Sequence, residues 1–485
     1  MPPLRSSPRH ATSDAVPNVP DTPVEPQSGL TLDDKTRPCG LPADEANGLF
    51  QPLNSLSNLA LAVSGGADSL ALLVLFSEWR QRTGWRGQAE VLTVDHGLRA
   101  ESAEEVLAVQ QHADERGLAC SILHWHGPRP LRNIQAAARD ARYRLMADRM
   151  RRTGAQALLV AHHLGDQAET FLDRLTRGSG ISGLSAMAAD EPNGPEGLRL
   201  IRPFLGIPRE RLEATLVERG LHWASDPSNG DAKYKRTRLR RILELLEQEG
   251  LSAEKIAATA GRLRSAREAI DAAVEVAFRS GVEEHGAGPL RLSLAAYRDL
   301  SQEVRLRLLV RMIARVSGQR VRPRLTKLSA LDQGLTDGRT ARHTLSGALF
   351  ETGENWLWCW KEPGRTPPET LASVCGEGIW DERYRYRARG DVEPGGMPAG
   401  LMLGPLCASP LQRGDVDWPE GWPKDAFACS PVFWTAEDHV FRHGASVDLT
   451  GGETGLEAVM DLVRLPFGHK SVSNYVDEGD GEADI

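Results

Sequence analysis

The sequence predicts an α/β protein: a doubly wound parallel sheet, then a helical substrate domain and a small α+β C-terminal domain. Three observations predict it. An apolar run at 59–63, L-A-L-A-V, passes through the turn Ser64-Gly65-Gly66-Ala67-Asp68-Ser69 into a helical run at 70–79. From 59 to 220, short apolar runs alternate with longer helical stretches, the pattern of βα units whose helices cover both faces of a parallel sheet. Beyond 233 the alternation stops; a basic helical stretch gives way to short strands and turns.

The first βα unit carries the strongest local signal. A strand, a glycine-rich turn and a helix N-terminus form an anion site, because free backbone N–H groups and the helix dipole converge on one point. The glycines let backbone approach a ligand, and the Ser64 and Ser69 hydroxyls add donors. The chain contains no Gly-Lys pair, so this is not a G-x-x-x-x-G-K-[ST] phosphate loop. Instead Asp68 sits inside the turn. A carboxylate beside phosphates repels them unless a cation lies between, so Asp68 points to Mg²⁺ as its metal ligand role. The bland alternative is an ordinary tight turn with an acid near a helix N-terminus.

The second strand is expected at 89–94 and ends in Asp95-His96-Gly97-Leu98-Arg99. Polar groups at the C-terminal tip of a parallel strand face the ligand crevice. A helix at 103–116, a strand at 120–125 and a long helix at 133–152 follow. Arg139 and Arg142 are three apart and share a helix face. The fourth strand, 156–161, feeds His162-His163-Leu164-Gly165-Asp166-Gln167-Ala168-Glu169-Thr170. Zinc is rejected there, because a helical zinc pair sits at i, i+4. Asp166 and Glu169 are three apart at a helix start, so two anions share a face and suit a cationic ligand such as an ammonium group; the plainer account is acids complementing the helix dipole. The string at 178–183, G-S-G-I-S-G, follows a helix rather than a strand, so it fails the context test for dinucleotide binding. It reads as a loop near the site, with Arg177 a phosphate or RNA contact. A strand at 198–202, a helix at 207–219, a D-P-S-N turn at 226–229 and the basic run 233–241 close this part.

At 485 residues the length suggests about three domains. The boundaries read as a disordered extension at 1–43 with order beginning near Asn47, a catalytic domain at 44–232, a mainly helical domain at 233–365, a small α+β domain at 369–476 and an acidic tail at 477–485. Residues 380–389, W-D-E-R-Y-R-Y-R-A-R, alternate like one half-exposed strand. No apolar run nears the roughly 18 residues of a membrane span, and the N-terminus lacks a signal-peptide core, so the expectation is cytoplasmic with no membrane partner. The six cysteines show no C-x-x-C and no metal spacing. Net charge is −8, yet residues 199–241 hold 11 basic and 5 acidic residues, and 301–343 hold 10 and 3. Local basic blocks, rather than net charge, set a phosphate footprint; solvated helix faces are the alternative.

The motif S-G-G-x-D-S after a strand resembles the PP-loop ATP pyrophosphatases, which implies an adenine nucleotide α-hydrolase-like fold and cleavage of ATP between its α and β phosphates. Within that group, S-G-G-A-D-S-L-A-L, V-D-H-G-L-R, A-A-R-D-A-R-Y, A-H-H-L-G-D-Q-A-E-T, R-G-S-G-I-S-G-L, R-P-F-L and D-P-S-N, in this order, resemble the tRNA(Ile)-lysidine synthetases. The resemblance is strong over 47–245 and weak through R-H-T-L-S-G-A-L-F and I-W-D-E-R-Y. Gln135 and Thr237 depart from it, standing where Glu and Asn are common. It implies a ligase acting on an isoleucine tRNA with a CAU anticodon. ATP adenylates the carbon-2 oxygen of the wobble cytidine, then free L-lysine attacks that carbon and expels AMP. It implies that Ser64, Gly65, Gly66, Ala67, Asp68, Ser69, Asp95, His96 and Arg99 bind ATP with Mg²⁺ on Asp68. Asp166 and Glu169 would bind lysine, Arg139 would face the activated nucleotide, and His162 or His163 would act as base. Arg177, Arg236, Arg238, Arg240 and Arg241 would contact tRNA. A homodimer is left open. The alternatives are another PP-loop tRNA ligase that transfers sulfur, against which the missing C-x-x-C pairs argue, and a catalytically idle RNA-binding protein.

Overall fold

The computed structural model describes residues 38–97, 102–126, 134–224, 235–319, 323–337, 341–364, 367–388, 400–411, 418–435, 439–440 and 460–464. The chain divides into two compact units, Met1–Cys39 and Gly40–Ile485. Of the first, Pro38 and Cys39 alone are described, so most of the expected N-terminal extension lies outside the described residues. The second unit begins earlier than expected. The Gly40 N–H donates to Glu218 and the Leu41 N–H to Thr215 Oγ1 at 2.8 Å. Leu41, Ala46 and Phe50 are buried, and this apolar anchoring fixes the segment ahead of Asn47.

The N-terminal part of this unit runs α1 (Ala43–Phe50), a 3₁₀ turn, β1 (Asn58–Ala62), α2 (Ala67–Thr83), β2 (Gln88–Asp95), α3 (Ser102–Asp114), β3 (Ala119–His124) and α4 (Ile134–Thr153). It continues through β4 (Ala157–Leu159), α5 (Leu164–Leu175), α6 (Ile181–Leu184), β5 (Asp190–Glu191), β6 (Leu200–Ile201) and α7 (Arg209–Glu218). The sheet order is β3-β2-β1-β4-β6-β5. All pairs are parallel except β5 with β6. The five parallel strands stand where the sequence placed them. β5 was not expected; two residues without apolar alternation leave no signal.

Period 2 divides β1 between two cores. Leu59, Leu61 and Val63 join Phe50, Phe76, Trp79 and Phe204 on one face, while Ala60 meets Tyr143, Met146 and Met150 of α4 on the other. Helices therefore cover both faces, and the sheet is doubly wound. The strand order reverses between β1 and β4, and a ligand crevice opens at the carboxyl ends of strands flanking such a reversal. α2 is buried from Leu70 to Ser77 on all sides, as a central helix must be. Each buried leucine there contributes roughly 1.5–3 kcal/mol, so the turn at 64–69 is anchored at both ends.

The rest of the unit comprises α8 (Lys235–Gln248), α9 (Ala253–Gly281), β7 (Val282–Glu284), β8 (Leu290–Ser293), α10 (Leu294–Asp299), α11 (Gln302–Ser317), α12 (Leu325–Thr336), β9 (Arg342–Leu345), β10 (Ala348–Thr352) and β11 (Trp356–Lys361). Its five strands form an antiparallel sheet, β7-β8-β11-β10-β9. β12 (Glu377–Trp380), β13 (Tyr384–Ala388) and β17 (Met460–Arg464) form one further sheet; β14 (Met402–Pro405), β15 (Pro431–Trp434) and β16 (His439–Val440) form another. The single strand expected at 380–389 is instead part of a hairpin. Asp381 and Glu382 take φ of 50° and 54°, Lys361 pairs with Asp381, and Arg383 donates to Asp381 and to the Cys429 carbonyl. Those distant partners turn a chain whose alternation alone would continue. No helix among the described residues is long and apolar enough to cross a membrane.

Candidate active site

The turn after β1 and the segment after β4 meet at the switch point. Gly65 takes φ +87°, which an L side chain rarely adopts. Ser69 Oγ accepts from the Ser64 N–H at 3.1 Å and donates to the Gly66 carbonyl at 3.0 Å. Gly66 is the N-cap of α2 and supplies no side-chain cap, so the first helical amides keep unpaired donors. A Cβ on Gly66 would meet nothing within 4 Å. These features leave room and donors for an anion beside Ser64.

Asp68 lies in this first turn. Its Oδ1 is buried without a hydrogen-bond partner. Burial pushes its carboxyl above the usual range; His163 and Arg209 pull it down, and Asp166 adds to the rise. Arg209 Nε is 3.6 Å from Oδ1, beyond hydrogen-bond reach, and His163 Nε2 is 3.9 Å from Oδ2.

His163 caps α5. Its Nδ1 accepts from the Gly165 N–H at 3.0 Å, while Asp166 Oδ2 accepts from the His163 N–H at 3.0 Å. This reciprocal box satisfies two helix-start donors, so Asp166 has the capping role as well as a place in the crevice. The network sets the tautomer: a neutral His163 carries its proton on Nε2, 3.5 Å from Asp166 Oδ2 and aimed toward Asp68. Burial acts to raise Asp166, but His163, His162, the His163 amide and Arg236 outweigh it and hold the carboxyl low. Glu169, one turn on, is 4% exposed; Oε1 accepts from Arg240 Nε at 2.6 Å and Oε2 is buried without a partner. His162 Nδ1 accepts from Arg202 Nε at 3.3 Å. Burial, with Arg202, Arg139 and Arg236 nearby, lowers the His162 pKa to about 4.

A second wall is cationic. His96 follows β2, and its Nε2 lies 3.4 Å from Arg142 Nη2. Burial and Arg142 lower the His96 pKa; burial, Arg139 and Arg236 lower that of Arg142. Arg139, Arg142 and Arg236 thus form one electropositive group beside the His96 and His162 rings, whose charged forms it disfavours. Asp95 serves its own loop, accepting from the Gly97 N–H at 2.8 Å and from Ser102 Oγ at 2.5 Å; those donors hold its pKa low. Arg99 lies outside the described residues, as does the D-P-S-N turn.

The expected RNA contacts divide. Arg236, Arg238 and Arg241 are exposed on α8. Arg177 is exposed but paired with Asp173 at 3.0 Å. Arg240 turns inward onto Glu169. In the block 301–343, Arg305 pairs with Asp332, Arg307 with Asp271 and Glu303, Arg311 with Glu275 and Arg315 with Glu284. Much of that basic count is internal pairing rather than phosphate-facing surface.

The glycine-rich loop is held from outside the sheet. Arg264 donates to the Ser185 and Met187 carbonyls, Arg267 to Ser185 Oγ, and the fully buried Arg307 to Ser182 Oγ. Gln167 of α5 grips both the N–H and the carbonyl of Met187. The loop therefore braces the helix that carries Asp166 and Glu169. Sequence reasoning missed Arg202, Arg209, Arg264 and Arg307; R-P-F-L marked Arg202 as part of a motif, but nothing local assigned the others.

Residues 43–246 match a family model described as a PP-loop domain. The chain is similar to proteins named tRNA(Ile)-lysidine synthase. It is 40% identical over 339 residues to that of Bradyrhizobium diazoefficiens, covering 66% of this chain and 93% of the relative. It is 42% identical over 315 residues to that of Methylobacterium nodulans, covering 63% and 91%. With that of Ruegeria pomeroyi it shares 35% identity over 407 residues, covering 81% and 92%.

Proposed function

The chain belongs to the tRNA(Ile)-lysidine synthase family, and from that premise we propose that it joins free L-lysine to carbon 2 of the wobble cytidine of an isoleucine tRNA with a CAU anticodon. ATP is the co-substrate, and an adenylated cytidine is the intermediate. One observation carries the reading: the switch point sets an uncapped, open-sided anion loop carrying Asp68 against His163 and Asp166, with Glu169 one turn further along α5. A pyrophosphate-releasing ligase that accepts an amine needs both charges side by side.

The loop 64–69 would grip the β and γ phosphates through the amides of 65–69 and the two serines. Asp68 fits Mg²⁺, since a buried, unpartnered Oδ1 with a raised pKa is what a carboxylate lacking its cation looks like. No cluster of three His, Cys, Asp or Glu among the described residues could cage a metal unaided, which agrees with a cation shared between one carboxylate and substrate phosphates. Bound there, Mg²⁺ would neutralise charge on the departing pyrophosphate. Arg139, Arg142 and Arg236 would receive the α-phosphate side of the nucleotide and the tRNA backbone. Asp166 and Glu169 would hold the lysine ammonium.

The hydrogen bonding argues against His162 or His163 as the base for lysine. Each ring accepts at Nδ1, so each neutral ring presents an N–H at Nε2. Both act instead as orienting donors, His163 between Asp68 and Asp166. Catalysis then rests on positioning and charge stabilisation. The test is incubation with tRNA transcript and ATP labelled at the α-phosphate, without lysine. Label should move onto the tRNA and leave as AMP when lysine is added. Label that stays off the tRNA under all conditions contradicts the two-step scheme.

A further inference from the structure

Arg240 occupies the position that the proposed lysine pocket reserves for its ligand. It lies on α8, which packs on α5, and its Nε donates to Glu169 Oε1 at 2.6 Å. Asp166 and Asp68 also act on its charge. Arg240 is therefore the guanidinium hydrogen-bonded to Glu169, and its charge is also felt by Asp166 and Asp68. Glu169 is deeply buried and cannot exchange Arg240 for water without a large desolvation penalty; it can exchange it only for another cation. Glu169 Oε2, buried and unpartnered, marks the carboxylate as half used.

Arg240 itself is 36% exposed, and its helix is lightly held. Leu239 is the buried residue of α8, while Ile242 and Leu245 of the same helix are exposed. Arg236, Arg238 and Arg241 extend the positive surface from Arg240 outward. A polyanion arriving on that surface competes for the Arg240 guanidinium, which matches phosphate geometry as well as it matches carboxylate.

We propose that Arg240 is a placeholder cation: without tRNA it closes Glu169 to lysine, and a tRNA phosphate draws it away and opens the pocket. The proposal rests on the reading of Glu169 as a lysine ligand. Its consequence is order. Lysine binds productively after tRNA, so the amine does not meet activated nucleotide in the absence of the acceptor. Linkage makes the effect reciprocal, lysine tightening tRNA by the same factor.

Equilibrium dialysis of radiolabelled lysine against the full-length protein, with and without tRNA(Ile) transcript, tests it. The wild type should bind lysine more tightly with tRNA, by a factor on the order of ten. Arg240→Ala should bind lysine without tRNA as tightly as the wild type does with it, and bind tRNA more weakly. Arg240→Lys keeps a cation and should keep most of the block. Weaker or unchanged lysine binding by Arg240→Ala in the absence of tRNA overturns the proposal; weaker binding would make Arg240 a strut that positions Glu169. Glu169→Gln separates the two levels. If it binds lysine normally with tRNA present, the lysine-pocket reading itself fails, whatever Arg240 does.

Discussion

Asp68→Asn should stabilise the ligand-free protein while removing its chemistry. The carboxylate has one buried oxygen with no partner, Arg209 and the His163 ring too distant to hydrogen-bond it, and Asp166 adding repulsion. A buried polar atom left unsatisfied costs about 1–3 kcal/mol. Asn keeps the shape and that acceptor but loses the charge, so only part of this returns. Against it stands the lost attraction to the α2 dipole, about 0.3–1 kcal/mol. The net gain expected is at most about 1 kcal/mol. The pH dependence carries the sign. A carboxyl whose pKa is raised by folding favours the folded state at low pH, and that contribution disappears as pH rises from 3.8 through the folded value. The penalty grows as the carboxyl ionises in the folded state, so the variant's advantage should grow as pH rises from the acid side. The assay is urea unfolding of both proteins from pH 4 to 7 in chelator, repeated at pH 7 with Mg²⁺ and ATP. Ligand at 100 times Kd stabilises by about 2.7 kcal/mol; the wild type should gain this and the variant much less. A variant less stable than wild type at every pH would mean that Asp68 is a structural partner of His163 and Arg209 rather than an open ligand site.

Four further outcomes follow from the same geometry. Gly65→Ala must hold φ +87°, costing about 1–2 kcal/mol, with its Cβ only in ordinary contact with Val109; a lowered melting midpoint checks this. Gly66→Ala has extended backbone and open space, so its stability should stay within about 0.5 kcal/mol, while KM for ATP rises on the order of tenfold or more because the methyl displaces the phosphate. Glu169→Gln should raise KM for lysine far more than KM for ATP in steady-state lysidine assays; equal rises would remove Glu169 from the lysine pocket. His162 must stay neutral to fold as seen, so its contribution is present above pH 6.5 and is lost as pH falls through about 4, by at most roughly 3 kcal/mol. His162→Gln should flatten that part of the stability profile.

The parallel sheet was legible because its strands are bounded apolar runs and its helices are long: L-A-L-A-V at 59–63 became β1 within a residue or two. The candidate site acids stood out because they follow strand tips, where a doubly wound sheet gathers polar groups. What escaped is non-local. Arg240 and Glu169 are 71 residues apart in the chain, and a basic run reads the same whether a given arginine faces phosphate or a buried carboxylate. Arg264, Arg267 and Arg307 reach the glycine-rich loop from helices that periodicity identifies but cannot dock. The break at Asp381 and Glu382 depends on Lys361 and Cys429, which no local pattern around 380–389 contains. The histidines were read as candidate site residues from their place after β4; their tautomers needed the Gly165 amide and the Arg202 guanidinium to be in view.

The most direct measurement is incorporation of radiolabelled lysine with ATP and isoleucine tRNA transcript bearing CAU, with elongator methionine tRNA as control. Label should enter the isoleucine tRNA alone, with one AMP released per lysine joined. No incorporation, or sulfide-dependent thiolation of the tRNA in its place, would contradict the assignment.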